Sequence, residues 1–166
     1  MRRRLLLAAA CTFAVGVLGT GAAFAAAGGQ GTVTTTTHAH DVVLFTMPVT
    51  NPCTGAPGTL TAVAANEVFH ATFFTNGGDE FWVTGTDEGT ATFTPDDPSG
   101  VTASGHFASW FGESGNNQND VQHDTNTFNL TGTDGSRAVV HATDHFSTNA
   151  TGVVTVNFSN FKFSCG

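Results

Sequence analysis

Between residues 33 and 165 the chain shows no sustained helical period. Runs rich in Thr, Val and Phe recur between turn residues instead, the pattern of short antiparallel strands in series. Asn76-Gly77-Gly78 carries a strong hairpin signal. Pro95-Asp96-Asp97-Pro98-Ser99-Gly100, Asp134-Gly135-Ser136 and residues 149–152 read as further turns, and residues 112–120 as a longer polar loop. These breaks leave strands near 32–48, 58–74, 80–94, 101–112, 121–133, 137–147 and 152–164. Ala138, Val140, Ala142 and Phe146 point one way and His141, Thr143 and His145 the other, so each strand separates two surfaces. In the last strand Val154, Val156 and Phe158 share one phase, and Phe161, Phe163 and Cys165 take the opposite one. That switch predicts a bulge near Ser159–Asn160. The fold expected is all-β: a single antiparallel barrel of seven to eight strands, closed in a lipocalin-like or allene-oxide-cyclase-like way. A two-sheet sandwich is the alternative.

The first 25 residues stand apart. Arg2, Arg3 and Arg4 precede an apolar stretch over residues 5–18, and Ala23-Phe24-Ala25 fits a signal peptidase site. Fourteen apolar residues are too few for a retained membrane anchor, and Cys11 leaves with the signal. Residues 26–166 are then one exported domain. Of the basic residues it keeps only Arg137 and Lys162 against 13 acidic ones, a net charge of −11. Such a surface repels nucleic acid and anionic lipid, both of which are bound through Lys and Arg. Cys53 and Cys165 remain, and in an oxidising compartment an even pair reads as a disulfide. It would tie the first connection to the C-terminus.

Asn51-Pro52-Cys53-Thr54-Gly55, Val68-Phe69-His70-Ala71-Thr72, the Asn76-Gly77-Gly78 turn, residues 140–145 and the ending from Asn160 to Cys165 together resemble a group of small secreted actinobacterial β proteins. The resemblance implies export, a disulfide and a β fold. It implies no activity, cofactor or site residue.

Candidate sites come from side-chain chemistry alone. His38 and His40 share a face. His141 and His145 also share one, but about 13 Å apart by strand rise. A zinc site would need His38 and His40 joined by His70, His141 or Asp144. The oxygen-rich set Glu113, Asn116, Asn117, Asn119 and Asp120 lacks the spacing of a regular calcium loop. Gly112-Glu113-Ser114-Gly115 does not make a nucleophile elbow. Sequence-adjacent carboxylates at 79–80, 87–88 and 96–97 point to opposite faces, so they form no acid–base pair, and no catalytic residue is assigned. Residues 26–166 hold 13 phenylalanines, two tryptophans and no tyrosine. In a closed sheet Phe69 and Phe73, with Phe107 and Phe111, would line an apolar pocket. Trp82 and Trp110 fall in the opposite phase, on an outer surface or at a mouth.

Three functional classes follow. A non-catalytic barrel holding a small apolar molecule is expected first. An extracellular adhesion module contacting an envelope component is the second, and a dirigent- or cyclase-like enzyme with a confined pocket is the third.

Overall fold

The computed structural model describes residues 31–74 and 80–166. The expected signal sequence, residues 1–25, and the turn expected at Asn76-Gly77-Gly78 lie outside them. The chain is all-β and antiparallel, with eight strands: β1 (Thr32–Ala39), β2 (Val42–Thr50), β3 (Pro57–Phe74), β4 (Glu80–Pro95), β5 (Ala103–Gly115), β6 (Asn119–Gly132), β7 (Arg137–Asn149) and β8 (Val154–Cys165). β3 to β8 form a meander in chain order, and β1 and β2 lie end to end along the free side of β3. The break between those two falls at Asp41, whose φ of 56° is left-handed. Aspartate is among the few residues that tolerate that conformation.

Local chemistry sets the turns. Asp134 Oδ1 accepts hydrogen bonds from the N–H and hydroxyl of Ser136, while Gly135 supplies the positive φ. Asn149 Oδ1 accepts from the N–H groups of Thr151 and Val153, with Gly152 left-handed. The connection expected over residues 112–120 is shorter than the sequence suggests. β5 runs on to Gly115 and β6 begins at Asn119, with Asn116 Oδ1 accepting from the N–H groups of Gln118 and Asn119.

The sheet curls so that one face becomes concave. Ala62, Ala64, Ala91, Phe93, Ala103, Phe107 and Leu130 are buried there. Phe45 of β2 reaches across the concavity to Phe128 of β6, 6.5 Å between ring centres, and Phe128 stacks on Phe107 at 6.0 Å. At the same end Cys53 is bonded to Cys165, with Cα atoms 5.7 Å apart. The bridge ties the connection after β2 to the end of β8, the two outermost members of the sheet. A bonded pair of this kind suits an oxidising environment. Among the described residues no ladder joins β8 to β1 or β2, so the hydrogen-bonded sheet is open where the expected barrel would be closed.

The expected bulge at Ser159–Asn160 is not there. The β7–β8 register is continuous from Ala138↔Cys165 to Ser147↔Val156, and the irregularity comes next, between Ser147 and Thr148. The change of phase in the sequence does not require a slip because β8 hides neither face. Val154, Val156, Phe158, Phe161 and Phe163 are all exposed, and register is specified only where one face is buried. The bulge that does shape the sheet is on β3, between Ala64 and Asn66, opposite Gly89. A Cβ on Gly89 would lie 2.1 Å from the Val63 carbonyl oxygen and 2.9 Å from the Ala64 Cα. Both are backbone atoms with nowhere to go. Gly89→Ala is therefore expected to destabilise the fold by about 1–3 kcal/mol, as overpacking does, read as a lower urea midpoint at unchanged slope.

Candidate functional site: the outer tryptophan face

The register settles which residues share a surface. Phe69, Phe73, Phe107 and Phe111 all fall on the concave face, as their phase requires. They do not make one open pocket. Phe107 is 1% exposed and closed into the core between its neighbours. The far edge of the Phe111 ring lies over Gly85, in the space a Cβ would need, and the ring centre sits 6.2 Å from that of Phe69. Phe81 covers Gly115 and Phe93 covers Gly58 in the same manner. Rings laid on glycines fill space against the sheet instead of lining a lumen. Phe73, by contrast, is exposed.

The metal set is not brought together either. His38 and His70 belong to β1 and β3, while His141 and Asp144 belong to β7, with β4, β5 and β6 between them. His40 lies beyond the end of β1, where its Nδ1–H donates to the Ala65 carbonyl at 3.0 Å. His70 Nδ1 pairs with the Thr36 hydroxyl at 2.8 Å and His141 Nδ1 with that of Thr127 at 3.1 Å. Among the described residues no group of three or more His, Cys, Asp or Glu side chains is placed to hold a metal ion.

The concave face carries something the sequence reading passed over. Carboxylates pair across strands there, not along them: Glu67 stands opposite Asp87, and Asp124 opposite Asp144. Like charges directly opposed in a ladder destabilise it. Asp87 is only 8% exposed, and its Oδ1 has no hydrogen-bond partner among the described residues. Burial first, and Glu67 second, push its carboxyl up to about 6. Asp124 is also raised, by burial and then by Asp144, against the opposing pull of His123 and the Asn126 amide.

The convex face is of another character. Trp82 and Trp110 are 52% and 43% exposed. They stand on adjacent strands with register partners Ser114 and Thr86, four residues apart along the ladder, or about 14 Å by strand rise. The Trp110 ring leans over Gly112, which occupies the step between them; a Cβ there would be 3.3 Å from the ring. Two open concavities flank Trp110. One, of about 100 Å³, is lined by Val68, His70, Thr84, Gly85, Thr86 and Trp110. The other, of about 290 Å³, lies between Trp82 and Trp110 over Thr84, Gly112, Ser114, Val121 and His123, with Glu113 lining it from between Gly112 and Ser114. His123 meets the edge of Trp110 at 5.3 Å between ring centres, and its Nδ1 is 3.2 Å from Nδ1 of His145. One of those two nitrogens donates and the other accepts.

Comparison with protein-family models, curated proteins and solved structures finds no match.

Proposed function

We propose that the chain is an exported, non-catalytic interaction module that engages envelope or extracellular material through its outer tryptophan face. The observation carrying this reading is the contrast between the two surfaces. Over β4 to β6 the concave side is occupied by the protein's own rings and by opposed carboxylates, with exposed phenylalanines only toward its edges, whereas the convex side of the same strands presents two large aromatic side chains with open grooves beside them. Large exposed aromatics on a rigid sheet are the usual anchors of recognition, and a tryptophan left in water has an unfavourable hydration that a partner relieves.

The disulfide supports the scaffold half of the proposal. By holding the ends of β2 and β8 together, it keeps the open sheet curled, and curvature fixes the angle between β4 and β5 on which the two indoles ride. Export under the N-terminal signal supplies the oxidising compartment in which the bridge forms.

The test is co-sedimentation of the secreted protein with isolated actinobacterial cell-wall material. The wild type is expected in the pellet and Trp82→Ala/Trp110→Ala in the supernatant, with far-ultraviolet circular dichroism of the two proteins alike as the check that the variant is folded. Equal pelleting of the two proteins would refute the reading.

A further inference from the structure

From the outer face we infer a ligand class: an uncharged glycan built of equatorially linked pyranose rings, stacked on Trp82 and Trp110 with its hydroxyls over the step between them. The inference rests on the reading above and names what that face takes.

Three features converge on it. The first is charge. The domain carries 13 acidic residues, yet between Glu80 and Glu88, which bound it on β4, the outward-facing side chains of the tryptophan strip include no carboxylate and no ammonium. They are Val68, His70 and Thr72 on β3, Trp82, Thr84 and Thr86 on β4, and Trp110, Gly112 and Ser114 on β5. Val121, His123 and Thr125 continue the strip on β6. Glu113 has the opposite phase on β5 and lines the larger groove from between Gly112 and Ser114. A strip without outward charge along its middle, on a strongly negative body, excludes polyanions at long range and leaves the two indoles without an ionic partner to offer. A neutral ligand is what remains.

The second feature is the order of chemistry along the strip. An apolar ligand would be matched by a continuous apolar groove. Here three rungs follow one another, Trp110 beside Thr86, Gly112 beside Thr84, and Ser114 beside Trp82, so each indole has a hydroxyl at its side and bare backbone lies in the rung between them. A pyranose has the complementary construction, with apolar C–H faces above and below and a rim of hydroxyls. Its face stacks on an indole, and its rim reaches Thr and Ser hydroxyls or the His123 imidazole, which serve as both donors and acceptors.

The third is shape. Gly112 keeps the floor between the indoles level, since any side chain there would stand against the Trp110 ring. The two tryptophans stand four residues apart along the ladder, about 14 Å by strand rise, so the face matches an extended oligomer rather than a monosaccharide.

The chain's only two tryptophans are these two, so intrinsic fluorescence reports the site alone. Titration with cellohexaose and chitohexaose is expected to give a saturable change in emission with at least one of them, and sulfated dextran none. Gly112→Leu keeps both indoles and a strand-compatible backbone while filling the floor. It is expected to weaken that binding about tenfold or more, the effect of losing one well-made ring contact, with an unchanged melting temperature. Sulfated dextran binding in place of the neutral sugars, or Gly112→Leu binding as wild type does, overturns the inference. If neither neutral hexasaccharide binds while cell-wall pelleting still depends on Trp82 and Trp110, the glycan class is wrong and the outer-face reading stands. If pelleting is independent of the tryptophans, both fall together.

Discussion

Cys53→Ser/Cys165→Ser is expected to lose about 4–5 kcal/mol of folding stability, enough to leave a domain of this size barely folded at 37 °C. The bridge closes a loop with a sequence separation of 112. In the chain-entropy account, denying that loop's freedom to the unfolded chain is worth about 4.7 kcal/mol, and engineered removals in small secreted domains fall at 2–5. The fold adds a reason for the upper end. The bridge joins the two outermost members of a sheet whose ladder leaves them unpaired, so no row of hydrogen bonds substitutes for it. Chemical denaturation with and without reductant measures the effect. A loss below about 1 kcal/mol would mean that the two edges are held by something other than sulfur.

Asp87→Asn is expected to stabilise the protein at pH 7.5 by about 1–2 kcal/mol and to change little at pH 4. The carboxyl of Asp87 titrates near 6 in the fold, against 3.8 as its ordinary value. A raised carboxylic pKa means that the folded state holds the proton more tightly than the unfolded one. Stability is therefore full below about pH 4 and falls as pH climbs toward 6 and past it, because the fold must then carry an ionised group that burial and Glu67 both oppose. The full shift converts to about 3 kcal/mol at 1.36 per unit, and partial solvation of the group reduces what is realised. The amide keeps the shape and removes the charge. Thermal melts of both proteins across that pH range check the sign: a wild type that grows more stable from pH 5 to 7.5 relative to Asp87→Asn would overturn the assignment.

Much of the architecture was readable from turn residues. Asp134-Gly135 centres the β6–β7 hairpin, and the β3–β4 register is centred on position 77. The alternation of Ala138, Val140 and Ala142 against His141 and Thr143 assigns their faces correctly. The same turn centres also contain the carboxylate pairs. Counting equal steps outward from Gly77 reaches Glu67 and Asp87, and from Asp134 reaches Asp124 and Asp144. Looking for acidic pairs along the chain missed them, because in a sheet the neighbour that matters is across the ladder.

What the sequence did not reveal follows from curvature and from edges. Alternation places Phe107 and Phe111 on one face, but not how they lie. One is packed between Phe128 and the core while the other is laid over Gly85, and only glycines on the adjoining strand make the second arrangement possible. A change of phase in β8 looked like a bulge because both surfaces of a strand were assumed to differ in burial. At the sheet's last strand they do not. The histidines drew attention by their number, yet their partners are threonine hydroxyls, a carbonyl, one carboxylate (Glu88, 3.1 Å from His106) and one another. The tryptophans, only two, gave the more useful signal through their phase.

β8 also governs how the molecule behaves in company. Its outer backbone donors and acceptors have no ladder partner among the described residues, and five of its large apolar side chains meet solvent. A rim of that sort is a template on which further chains add. Lys162 is the strand's only ion, so mutual repulsion between strongly negative bodies is the main thing keeping copies apart, and dissolved salt shortens its reach from about 30 Å at 10 mM to about 8 Å at physiological strength. Crowding the protein in a saline medium thus removes the barrier to assembly without altering the fold at all.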